Sequence, residues 1–157
     1  MKVNEYRVFT QEESRIDLYY MEKNEKINGL LRYLSRWDYQ LIGRKEHTQV
    51  YFQLQDVYYF ESVDKKTFVY LEKEVLQVEM TLADITLRYE ADGFVRVSKG
   101  VVLNLYKLAY LKASLNMRVI AYLENGEKVW ITRHYKPAFQ ARLEKLTKKE
   151  TQSDATN

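Results

Sequence analysis

Three short stretches of this chain set cations beside residues that turn a backbone. The first is Asp64-Lys65-Lys66. The second is Arg96 to Gly100, where Ser98 and Lys99 precede a glycine. The third is Arg133-His134-Tyr135-Lys136, just ahead of Pro137. Lysine at a tight turn can approach a phosphate as a point charge, and arginine can grip a phosphate or the O6 and N7 edge of guanine with two parallel bonds. A helix start adds free N–H groups that also favour anions. Each stretch also has a plain reading. Lys65 and Lys66 suit any solvated hairpin tip. Arg96 can pair with an acid on a neighbouring strand. Arg133, His134 and Lys136 can be the wet face before a helix, and one histidine carries no pH switch by itself.

Catalytic chemistry has little to build on. The 2 histidines, His47 and His134, are far apart and match neither HxxxH nor HExxH spacing. There is no GxSxG elbow, no glycine-rich phosphate loop and no DxD run. The chain has 0 cysteines, which removes disulfides, thiolate zinc sites and cysteine nucleophiles. The expectation is a protein that is no enzyme, with no cofactor, no metal and no small-molecule substrate. The amino terminus lacks the apolar run of a signal peptide, and no window approaches a membrane span. A soluble, cytoplasmic protein is expected. Net charge is only +3 over 157 residues. A nucleic-acid partner must therefore be argued from local clusters of charge.

The elements that must hold those clusters are mostly strands. Apolar residues make up 46% of the chain, enough for a core, and 14 tyrosines with 1 proline and 5 glycines favour β-structure. Residues 6–10 and 15–20 read as short strands. Ile27, Leu30, Leu31 and Leu34 form the stripe of an amphipathic helix. Leu41 and Ile42 lead a further extended piece, so residues 1–46 form a strand-helix extension. From His47 the strands are short. Residues 57–72 read as a hairpin with its turn at Asp64-Lys65-Lys66. VLQVEM is the next strand. Thr81 caps a short helix, TLADITLRYE, with Asp84 three residues on, and Asp92-Gly93 ends it. FVRVS alternates Phe94, Arg96 and Ser98 against Val95 and Val97 and turns at Ser98-Lys99-Gly100. Asn104 is expected to close a turn onto the backbone. LYKLAYLK reads as a strand, and RVIAYLE and KVWIT flank an Asn125-Gly126 turn. Pro137 opens a C-terminal helix, followed by a polar tail over residues 147–157. The fold class is α+β, mainly antiparallel sheet.

The order of these pieces resembles the LytTR DNA-binding domain of bacterial transcription regulators. The resemblance covers residues 47–146 and rests on VYFQLQDVYYFESVDKKTFVYL, TLADITLRY, FVRVSKGVVLNLYKLAYL and LENGEKVWITRHYKPAFQARL. It implies an elongated set of small β-sheets whose loops read the DNA major groove and bend the duplex. It implies contacts from Lys65, Lys66 and Thr67, from Arg96, Ser98 and Lys99, and from Arg133, His134 and Lys136. Family members often carry a second arginine where this chain has His134. The resemblance further implies a stand-alone member without a receiver domain. Such a member would bind paired direct repeats of double-stranded DNA as a homodimer and be restrained by a small membrane protein encoded nearby. The N-terminal extension is the candidate for self-association, although its leucine stripe equally suits packing on its own sheet. Two other readings remain. A protein-interaction module would use tyrosines such as Tyr58, Tyr59 and Tyr110. RNA binding by stacking would need aromatics among the cations, and the three loops hold only Tyr135.

Overall fold

The computed structural model describes residues 16–35 and 40–154. The chain divides after Ser35 into two units. In the first, helix α1 (Glu25–Ser35) begins with the Asn24 side chain accepting from the Ile27 N–H at 3.1 Å, a capping bond that satisfies a free helix donor. Ile27, Leu30, Leu31 and Leu34 lie half-buried along it. Residues 16–20 have no regular structure, where sequence predicts a strand; among the described residues no strand pairs with them, and lone extended backbone leaves its polar groups to water. The predicted strand at residues 6–10 lies outside the described residues.

The second unit holds two antiparallel sheets. Its strands are β1 (Gln40–Lys45), β2 (Thr48–Gln53), β3 (Tyr59–Val63), β4 (Lys66–Tyr70), β5 (Val75–Val78), β6 (Phe94–Ser98), β7 (Val101–Asn104), β8 (Leu108–Ala113), β9 (Val119–Leu123) and β10 (Lys128–Ile131). Seven form one sheet in the order β2-β1-β5-β4-β3-β7-β6, and the last three form β10-β9-β8. Helix α2 (Leu82–Tyr89) stands between β5 and β6, and α3 (Lys136–Asp154) follows β10. β1 pairs with β2 along its whole length, from Gln40 opposite Gln53 to Lys45 opposite Thr48. Residues 40–45 therefore belong to the large sheet and not to an extension ending at residue 46. Leu41 explains why: it points into the first core, and leaving it outside would expose it. At the other end α3 continues through residues 147–154, where sequence predicts a polar tail.

Two cores lie on opposite faces of the β6–β7 hairpin. The first gathers Phe60, Val69, Leu76, Ile85, Tyr89, Phe94 and Val102 under α2. Phe94 meets Phe60 at 5.7 Å and Tyr89 at 6.1 Å between ring centroids, in tilted geometry. The second takes Tyr58, Val95, Val97 and Leu103 together with Ala121, Leu123, Val129 and Ile131 of the small sheet and Phe139 of α3. Alternation along β6 thus separates two interiors, not an interior from solvent. Tyr58, a candidate for an exposed sticky surface, is inside the second core. Tyr59 is half-buried and stacks on Tyr70 at 4.2 Å.

The predicted caps form. Thr81 Oγ1 accepts from the Asp84 N–H at 3.1 Å, and Asp84 accepts from the Thr81 N–H at 3.2 Å, a reciprocal box at the start of α2. Gly93 then takes φ 89°, a left-handed conformation that favours glycine, and ends the segment. Asn104 is buried; its Nδ2 donates to Val57 O at 2.7 Å and its Oδ1 accepts from the Tyr106 N–H at 3.0 Å. That cap winds Leu105–Lys107 into a 3-10 turn, so the strand expected there starts only at Leu108.

Candidate nucleic-acid interface

The turn between β3 and β4 is two residues long, Asp64 and Lys65, with φ of 50° and 64°. Both values are left-handed, as a type I′ hairpin requires to match the twist of its strands. Lys65 and Lys66 stand exposed at this tip. Thr67 does not share their exposure. Strand alternation turns it to the face of Val69, where it is buried, so its side chain packs beneath the tip and does not extend from it.

The β6–β7 turn stands next to that tip. β3 and β7 are antiparallel partners, Glu61 opposite Val101, and the Ser62 N–H donates to Gly100 O at 2.8 Å. The turn is organised by its own arginine. Arg96 Nε donates to Ser98 O at 3.0 Å, and Nη2 donates to Lys99 O. Ser98 Oγ accepts from the Gly100 N–H at 3.3 Å. Arg96 therefore pairs with carbonyls of its own turn and not with an acid across the strand. Part of its fork is committed before any partner arrives. Lys99, held at the crest of this structure, is exposed.

The third loop is tied to the second by an irregularity in β6. The β6–β7 register slips between Arg96 and Ser98, which releases the Val97 carbonyl from the ladder. Val97 O instead accepts from the Thr132 N–H at 2.9 Å. From Thr132 the chain turns into α3, with the N–H groups of Tyr135 and Lys136 donating to Thr132 O at 3.0 and 3.1 Å. Arg133 and His134 are exposed, and Lys136 is half-buried. The Arg96 guanidinium lies 6.0 Å from the centre of the Tyr135 ring, whose edge or face also meets His134 at 4.9 Å in T-shaped geometry. Sequence gave no sign of the Thr132 tie, because a bulge leaves no residue signature here, and Tyr135 carried no role in it beyond being aromatic.

Eight of the nine residues singled out by sequence thus sit on or beside one rim: Lys65, Lys66, Arg96, Ser98, Lys99, Arg133, His134 and Lys136. Thr67 supports the rim from inside. Lys65, Lys66, Lys99 and Arg133 are exposed cations on three turns that backbone hydrogen bonds hold side by side. Such a surface suits a polyanion, with cations fixed on turns that present them together. Among the described residues no group of three or more His, Asp or Glu side chains is placed to hold a metal ion.

Residues 47–144 match the LytTr DNA-binding domain family. The chain belongs to that family. Its relatives include proteins of Staphylococcus aureus strains NCTC 8325 and N315 that carry the name uncharacterized HTH-type transcriptional regulator. Each is 21% identical over 145 residues, covering 91% of this chain and 98% of the relative. Among solved structures, a LytTr DNA-binding domain from Bacillus cereus superposes with a TM-score of 0.63 at 20% identity, covering 66% of this chain and 95% of that domain. This likeness extends the family assignment to the fold. The LytTr sheets explain why the three turns converge: β3–β4, β6–β7 and β10–α3 all end at the same side. Among the described residues no two α-helices follow one another directly, so a helix-turn-helix has no counterpart there.

Proposed function

We propose that this LytTr protein is a transcription regulator that binds double-stranded DNA in a sequence-dependent way through the three-turn rim. The observation that carries the reading is the convergence of exposed Lys65, Lys66, Lys99 and Arg133 on turns fixed to one another by the Ser62–Gly100 and Thr132–Val97 hydrogen bonds. Rigid turns present charge without the entropy of ordering a loop, which favours tight and specific contact. In this reading Lys65 and Lys66 anchor phosphates and set register, while Arg133 and Lys99 read base edges in the major groove. Ser98 and His134 add hydrogen-bonding groups between them, and Lys136 adds charge at the start of α3. The names of the Staphylococcus aureus relatives support a regulatory role.

Finer features belong to the same proposal. Contacts on neighbouring turns favour a bent duplex. Two copies occupy paired direct repeats, and self-association uses the amphipathic helix α1. The protein works in the cytoplasm, where a small membrane protein encoded nearby restrains it; no helix among the described residues is long and apolar enough to cross a membrane.

The test is direct. The full chain is used to select duplexes from a random pool, and the winners are titrated against scrambled duplex at several salt concentrations. Preference for the selected sequence is expected, with log affinity falling linearly in log salt by about 0.9 per phosphate contact. Lys99→Ala and Arg133→Ala each weaken binding by about 1–3 kcal/mol and leave the melting temperature near that of the parent. No preference at any salt would overturn the reading.

A further inference from the structure

The turn between β8 and β9 has chemistry that the three-turn rim does not use. It is closed by the Ser114 N–H donating to Arg118 O at 2.9 Å. Within it Asn116 and Met117 have φ of 63° and 60°, both left-handed, a conformation that favours glycine. A methionine held that way is strained. It is also 61% exposed, and Leu115 beside it is 86% exposed. Lys112 and Arg118, exposed as well, flank the pair on one face of the hairpin. No acidic residue occurs between Leu105 and Leu123, a span that also contains Lys107.

The register fixes where this turn lies. Ala113 is opposite Val119, and Val119 is opposite Ile131, so the three form one row across the small sheet. The β8–β9 turn and the Arg133 loop therefore leave the sheet at the same end, two strand spacings or about 10 Å apart. That separation is comparable to the step from a major-groove edge across one phosphate strand to the adjoining minor groove, which is about 6 Å wide. Apolar wedges of leucine or methionine flanked by cations are the means by which proteins pry open a base step in the minor groove.

We propose that the β8–β9 turn is a fourth DNA contact. Leu115 and Met117 wedge against a minor-groove base step beside the groove entered by the Arg133 loop, and Lys112 and Arg118 hold the phosphates on either side. This rests on the reading of the rim as a DNA surface and assigns the bending of the duplex to a particular turn.

The experiment uses the full chain and a duplex it has selected from a random pool, with bend angle read by fluorescence transfer between the duplex ends. Leu115→Ser with Met117→Ser is expected to reduce the bend by half or more and the affinity by about tenfold. The melting temperature should hold, because both side chains are exposed. Lys112→Ala with Arg118→Ala is expected to lower the salt slope by about 1.8, two phosphates' worth. Unchanged bend and affinity in the serine variant, with Arg133→Ala still losing binding, would overturn the wedge and leave the rim intact. A serine variant that changes only the mass in light scattering would assign the turn to a second copy and equally overturn the wedge. Failure of the parent chain to prefer any duplex would remove the underlying reading as well.

Discussion

Arg96 separates scaffold from reader, and one conservative substitution exposes the difference. Its guanidinium donates to two carbonyls of the β6–β7 turn, from Nε to Ser98 O at 3.0 Å and from Nη2 to Lys99 O. Lysine keeps the charge but offers a point donor in place of a planar fork, so it cannot span both carbonyls in that geometry. A hydrogen bond from a charged donor contributes about 1.5–3 kcal/mol when buried. Arg96 is only half-buried, so about a third of that is reasonable for each bond, or about 1–2 kcal/mol for the two lost in Arg96→Lys. For a domain of this size that lowers the melting temperature by roughly 3–8 °C. DNA affinity should fall too, but through Lys99: once the turn loosens, the ammonium must be ordered on binding. Arg96→Lys combined with Lys99→Ala should then cost less affinity than the two single effects added, a coupling that a double-mutant cycle reads. Calorimetric melting and duplex titration of the four proteins suffice. A melting temperature unchanged in Arg96→Lys, with additive losses of affinity, would refute the scaffold role and make Arg96 an independent contact.

Four further outcomes follow from the same geometry. Asn104→Ala leaves Val57 O and the Tyr106 N–H without their buried partner and should lower stability by about 2–4 kcal/mol in denaturant titration. Thr81→Ala should cost about 1 kcal/mol in the same assay through loss of the α2 cap. The hydrogen bonds from the Thr81 side chain and backbone also hold the Asp84 carboxyl below its usual range. The ionised cap therefore stabilises the fold above the ordinary carboxylate pKa and is lost as pH falls through the lowered one, so the Thr81→Ala difference should shrink in acid. Met117→Gly relieves a left-handed methionine and should raise stability by up to about 1 kcal/mol in thermal melts, whereas a loss would mean that Met117 is packed. Deleting residues 1–35, which spares β1 and both cores, should reduce the mass measured by light scattering to that of a single chain; an unchanged mass would take self-association away from α1.

The sequence was most legible where local chemistry decides structure. Thr81 and Asp84 announce a capped helix and Asn125-Gly126 a hairpin, and both stand as read; Asp64-Lys65-Lys66 announces a turn between alternating strands, and it forms with Lys66 taken into β4. It was least legible where a partner far along the chain decides. β1 looked like part of an extension because only its register with β2 and its place in the core that also holds Leu76 make Leu41 a core residue. Leu105 to Lys107 carry strand-like residues, yet the Asn104 cap curls them into a 3-10 turn. For the site, residue types located the three turns, and the family pattern supplied Thr67 with them. Pattern cannot weigh a single step of strand alternation, and one step was enough to turn Thr67 inward.

The position of β6–β7 between two cores gives the rim its character. A hairpin at the edge of one core could shift on binding, since one of its faces would meet only water. Here Phe94 and Val102 are fixed from the α2 side, while Val95, Val97 and Leu103 are fixed from the small sheet and α3. The bulge at Val97 spends no stability needlessly, because Thr132 occupies the released carbonyl and in doing so locks the Arg133 loop to the Lys99 turn. Rigidity therefore resides in apolar residues and backbone bonds, and the exposed cations at the crests contribute almost nothing to it. If the rim contacts DNA as proposed, the exposed cations Lys99 and Arg133 can change with the sequence bound, while the hydrogen bonds beneath them must stay. Arg96 is the exception, a cation bound into the scaffold, and substitution there should disturb every turn it steadies.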